Sequence, residues 1–161
     1  MQSFSEIDTT TKRATKAMGF EWGVAEEVGK NIRLLEMFGL PGVKNINKYY
    51  QIYKKDFFEV IQKFEKSCKS NKYFCPIMSG LNFMDQSMNI SELKELEIKK
   101  MAFPLIFISF ISRSSEIIGR RMFVKIDDKE FLFNFNHSIY SNYLSGEILE
   151  KAEHIDIKFL E

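Results

Sequence analysis

The sequence predicts an α+β fold: an N-terminal helical layer of about four helices, then an antiparallel sheet of three to five strands. Two observations carry this. Up to about residue 90, apolar residues recur at spacings of three and four, the period of one helix face. After about residue 102, apolar and polar residues alternate around a hairpin signature, as in half-buried strands. At 161 residues the chain is long enough for a substantial core. A single domain over 1–161 is expected, mainly helical over 1–90 and mainly β over 102–161.

The first helix starts at a cap supplied by Ser3 or Ser5, with Glu6 or Asp8 in its positive first turn. Phe4, Ile7, Ala14, Ala17 and Met18 give it a thin apolar stripe that needs a partner. Gly19 ends it through the left-handed conformation. The second helix carries Ala25, Val28, Ile32 and Leu35 on one face, and Gly39 with Leu40-Pro41-Gly42 stops it. A long third helix is expected over 43–69, from the spacing of Tyr49, Ile52, Tyr53, Phe57, Val60, Ile61 and Phe64. Pro76 suits the first turn of a fourth helix, which puts Cys75 at its N-cap and Ile77, Leu81, Met84 and Met88 on its apolar face.

Residues 91–101 are charged and suggest a connector or a short strand edge. The apolar run Phe103–Ile108 suggests a buried strand, with a helical turn over Ser112–Glu116. Met122–Ile126 and Glu130–Phe135 flank Asp127-Asp128-Lys129 as a hairpin. Ile155, Ile157 and Phe159 alternate with His154, Asp156 and Lys158, giving a last strand with one wet face.

The composition, 45% hydrophobic and 28% charged with a net charge of +1, is that of a folded protein without a nucleic-acid footprint. The longest apolar run is too short for the roughly 20 residues of a membrane helix. Residues 1–17 lack the apolar core of a secretory signal. Two cysteines make no disulfide framework, so a cytoplasmic, reduced protein is expected. No cofactor motif is present, and Cys68-x6-Cys75 and His137-x16-His154 are not zinc spacings, so neither cofactor nor metal is expected. Both histidines are expected at surface or turn positions.

Unusual residues concentrate in the stretch from Met18 to Gly42, which opens M-G-F-E-W-G-V-A-E-E-V-G. Gly23 and Gly29 each cost about 1 kcal/mol against alanine inside a helix, which implies close approach by another element. Trp22 with Glu26 and Glu27 can line a pocket whose carboxylate serves as a base or as a cation ligand. On the plainer alternative Trp22 is core and the glutamates are solvated. Cys75, at a helix N-terminus, has a route to an activated thiol, against the ordinary fate of a buried cysteine. Asp85, further along the same helix, completes the candidate set.

These blocks carry a resemblance. S-x-x-E-I, then G-F-E-W-G-V-A-E-E-V-G and F-G-L-P-G, resemble a bacterial family known as domain of unknown function 3726. The C-P-I-M-S-G-L-N-F-M-D and A-F-P-L-I-F-I-S-F-I blocks are similar to that family's middle and distal segments, and W-G-x-A-E-E is the most specific part. The resemblance implies interest in Trp22, Glu26, Glu27, Cys75 and Asp85, and no reaction. Two functions stay open. One is a binding module or accessory subunit beside a larger enzyme, with a protein or a second copy as partner and a small-molecule ligand left open. The other is a small hydrolase- or isomerase-like enzyme using a Glu/Cys site. Convergence of Cys75, Asp85 and the Glu26-Glu27 pair on one pocket would favour the enzyme.

Overall fold

The structure is a computed structural model that describes residues 2–134, 139–143 and 147–160. Helix α1 (Phe4–Ala17) begins where the Ser3 hydroxyl accepts the Glu6 amide at 3.1 Å. Helix α2 (Trp22–Met37) follows after Gly19 turns the chain at φ 99°, and it packs against α1. Its buried face is Ala25, Val28, Gly29, Ile32 and Leu35.

Helix α3 is short, Gly42–Ile52. The expected continuation to residue 69 does not form, because Tyr53 and Lys54 turn extended and a single 3-10 turn, Lys55–Phe57, leads into an open segment. That segment runs along α4 (Pro76–Ile90), whose polar side chains take the place of a sheet ladder. Ser79 Oγ accepts the Ile61 amide, Asn82 donates to the Ile61 carbonyl, and Gln86 both accepts the Phe64 amide and donates to the Gln62 carbonyl. Ile61 and Phe64 are buried in this way without a helix, although their spacing imitates one.

The segment ends in β1 (Ser67–Cys68), which runs parallel to β2 (Glu95–Ala102). Charged residues 91–101 therefore hold an interior strand. Its alternate residues Leu96 and Ile98 are buried while Glu95 and Lys99 stay wet. After β2 the apolar run is helical: α5 spans Pro104–Ile118, and Leu105 to Ile111 are all buried. Over residues 104–111 the helix is packed on every side and has no polar face, so its period is hidden there, and Pro104 in its first turn is the remaining mark.

Strands β3 (Met122–Ile126) and β4 (Lys129–Phe133) form the expected hairpin around Asp127 and Asp128. Phe135 and His137 lie outside the described residues. β5 (Ile139–Ser141) pairs with β4, and β6 (Lys151–Phe159) lies between β2 and β3. Among the described residues the sheet has six strands in the order β1-β2-β6-β3-β4-β5, antiparallel except for β1 with β2. Helix α5 crosses from β2 to β3 and touches α2, α3, α4, β3 and β4, so it is the centre of the core. The outcome is α+β, with five α-helices and a mixed sheet among the described residues. No helix among the described residues is long and apolar enough to cross a membrane.

Candidate functional site

Three local events make a cleft. Gly19 breaks the chain before α2, α3 stops early at Ile52, and Cys75-Pro76 opens α4. Between these ends lies a cavity of about 460 Å³, whose apolar wall is Phe20, Val24, Tyr53, Phe58, Val60 and Met78. Glu21, Lys55, Gln62 and Asn82 bring polar groups to its lining. Tyr53 stacks on Phe58 at 5.8 Å between ring centroids, with 9° between the planes, and Phe20 lies 5.0 Å from Tyr53. Tyr49 meets Phe58 edge-on at 5.3 Å and Phe103 at 5.4 Å.

Cys75 also lines this cleft, although only 2% of its surface is exposed. The Tyr49 hydroxyl donates to its sulfur at 3.0 Å. Burial pushes the thiol pKa up, and the amides of Met78 and Ile77 together with the Tyr49 hydroxyl offset this only in part. Burial likewise pushes Tyr49 and Tyr50 far above the ordinary phenol value. None of these groups is a base at neutral pH, so the thiol stays protonated. The chemistry on offer is shape, stacking and weak hydrogen bonding.

The other expected site residues lie elsewhere. Trp22 is 51% exposed on the first turn of α2, with Lys12 Nζ 5.7 Å from its ring centroid, so it is not core. Glu27 turns toward α5, where its carboxylate pairs with Arg113, and Lys30 adds a contact at 3.7 Å. Glu26 is half-buried on the same helix and does not line the cleft. Asp85 is exposed on α4, away from the cleft lining. Gly29 receives α1: a Cβ there would lie 2.5 Å from Asp8 Oδ1 and 2.8 Å from the Asp8 carbonyl oxygen. Gly23 has no atom within 4 Å of such a Cβ, so the expected close approach is absent at that position. Cys75, Asp85 and the Glu26-Glu27 pair thus do not share one pocket.

Sequence reasoning missed the aromatic wall, since it assigned Tyr53 and Phe58 to a helix that ends before them. It also missed a second grouping, Glu97, His154 and Asp156, whose ligand atoms all lie within 4.8 Å of one another. The signal present in sequence was His154-x-Asp156, two residues on one face of a strand. Its partner Glu97 lies 57 positions earlier, and only the register of β2 with β6 brings it there.

Comparison with curated proteins finds no match. Among solved structures, malate dehydrogenase from Pyrococcus horikoshii OT3 is similar with a TM-score of 0.54 and 9% identity, over 91% of this chain and 51% of that one. This chain therefore spans about half the length of the dehydrogenase, and at that identity the likeness is one of fold. Comparison with family models matches residues 2–75, ending at Cys75, to a family described as protein of unknown function (DUF3726). Over those residues, which hold the W-G-x-A-E-E block, the resemblance to that family holds.

Proposed function

We propose that this chain is a small cytoplasmic binding module, acting beside a larger partner, and that the aromatic cleft is where it takes its ligand. The observation that carries this reading is the cleft itself: stacked Tyr53 and Phe58, Phe20 beside them, and polar groups in the same lining. Such a wall suits a flat aromatic group, which gains from stacking as well as from leaving water. The enzyme alternative needs Glu26 or Glu27 as base beside the Cys75 nucleophile. Support for it is lacking, because Glu27 is committed to Arg113 and the thiol is buried and protonated. In the Pyrococcus horikoshii enzyme a like fold is half of a longer chain, in keeping with a unit that works next to another.

The test is an amide NMR titration with indole and with 4-methylphenol. Saturable shifts are expected at Phe20, Val24, Tyr53, Phe58 and Met78. Val24→Trp, which fills the cleft, should remove them while the fold is retained. Shifts that scatter over the surface, or that survive Val24→Trp, would defeat the proposal.

A further inference from the structure

Two neighbouring strands turn three ligand atoms to one point on the sheet face away from the helices. Glu97 of β2 is directly opposite Asp156 of β6, and His154 precedes Asp156 by two residues, hence on the same face. Leu96, Ile98, Ile155 and Ile157, which alternate with them, are buried on the other face. His154 Nε2 is 2.9 Å from Asp156 Oδ1 and 3.3 Å from Glu97 Oε2. The second oxygen of Glu97 is engaged by the Ser67 hydroxyl at 3.1 Å, which leaves Oε2 for the imidazole.

This geometry asks for positive charge at its centre. A neutral imidazole with its Nε2 lone pair outward would face two anions. A proton on Nε2 forms one directed bond and serves the nearer carboxylate, leaving Glu97 poorly matched. A divalent ion serves all three. With metal–ligand bonds of about 2.1 Å, the two separations from His154 Nε2, 2.9 and 3.3 Å, correspond to angles of roughly 90–105° at the ion between the imidazole and each carboxylate, values found in octahedral or tetrahedral coordination.

We propose that Glu97, His154 and Asp156 form a binding site for a divalent transition-metal ion of the zinc class. The register sets Lys99 opposite His154 and Lys125 opposite Asp156. These cations reduce the attraction that charge alone provides. The site therefore depends on bonding to imidazole nitrogen, which disfavours magnesium and calcium. Glu97 and Asp156 also line a groove of about 490 Å³ with Lys66, Lys94 and Lys158. Open coordination positions on that side are accessible to water or to an anionic ligand. The proposal is independent of the aromatic cleft.

Isothermal titration of the untagged full chain with zinc chloride tests it, with magnesium and calcium chloride as comparisons. One equivalent of zinc is expected to bind and to raise the melting temperature, with neither comparison ion competing. His154→Ala and the pair Glu97→Gln with Asp156→Asn should abolish that binding. Ser67→Ala should weaken it by about tenfold, as loss of a group that orients a ligand does. The variants alter partly exposed side chains, so their circular dichroism should match that of the parent. Failure to bind one equivalent of zinc overturns the site, and so does zinc binding that persists in His154→Ala.

Discussion

The Tyr49 hydroxyl and the Cys75 sulfur are 3.0 Å apart, and the two residues are 0% and 2% exposed. The pair joins α3 to the start of α4 behind the aromatic cleft; the donated bond by itself favours the thiolate, and it is burial that keeps the thiol protonated. A cysteine at a helix N-terminus is commonly activated by the helix field, but here burial is the larger effect.

Labelling should reflect this. Cys75 is expected to resist iodoacetamide in the native protein until α4 opens at its N-terminus. Cys68 is also buried, with a pKa raised by burial, but it sits on the two-residue edge strand β1. Edge strands open more readily than the core, so Cys68 should label first. Peptide mass spectrometry on a time course decides it, and faster modification of Cys75 than of Cys68 would count against the buried-thiol description.

Stability should fall in alkali. The folded state favours the neutral thiol of Cys75, while the unfolded chain releases that proton near the ordinary thiol value of about 9. The stabilisation is complete below that pH and is lost as pH rises above it. Tyr49 and Tyr50 add the same effect from about pH 10, their ordinary value. Each such group contributes a slope of up to about 1.4 kcal/mol per pH unit. Urea melts from pH 7 to 10.5 should show this decline, and Cys75→Ala should have a shallower slope between pH 9 and 10. Equal slopes in both proteins would remove Cys75 as a cause.

The elements legible in sequence are those whose two faces differ. Ser3, Gly19 and Gly39 mark α1 and α2, and alternation marks β6, because each has one wet side. α5 was not legible as a helix, since Leu105 to Ile111 are buried all round. The segment around Ile61 and Phe64 misled for the opposite reason: its burial follows the helical spacing of Ser79, Asn82 and Gln86 on the neighbouring α4. For the candidate site, the stretch from Met18 to Gly42 draws attention to Trp22, Glu26 and Glu27, none of which lines the cleft. Within that stretch Phe20 and Val24 line it instead, while Trp22 is exposed, a difference that no local pattern encodes. Tyr49 and Cys75 lie 26 residues apart, and no local pattern announces such a contact.

Glycine substitutions should differ in sign. Gly29→Ala pushes a Cβ into the Asp8 backbone and is expected to destabilise by about 1–3 kcal/mol. Gly80→Ala should cost at least as much, since its Cβ would overlap the fully buried Phe110 ring. Gly23→Ala meets nothing and should stabilise by up to about 1 kcal/mol through helix propensity. Thermal melts of the three variants give the ranking. A Gly29→Ala protein as stable as Gly23→Ala would refute the α1–α2 contact.

The last prediction concerns the polar link between α2 and α5. Arg113 pairs with Glu27 and also donates to Asn31 Oδ1 at 3.0 Å. The Arg113 and Glu27 side chains are each 25% exposed, so solvent screens the pair only in part, while Asn31 is fully buried. Arg113→Met would leave Asn31 Oδ1 without its donor, beside an Asn31 amide nitrogen that already lacks a partner, and Glu27 with Lys30 alone. A loss of about 2–3 kcal/mol is expected, as for a hydrogen-bonded charge removed from one side only. Glu27→Gln should cost about 1 kcal/mol, because its amide oxygen still accepts from Arg113. Replacing all three together, Glu27→Met, Asn31→Leu and Arg113→Met, removes every stranded polar atom, so it should cost less than Arg113→Met alone. Urea unfolding of the two single variants and the triple variant measures this order. A triple variant less stable than Arg113→Met would show that the link stabilises the helix pair by more than satisfying its own buried groups.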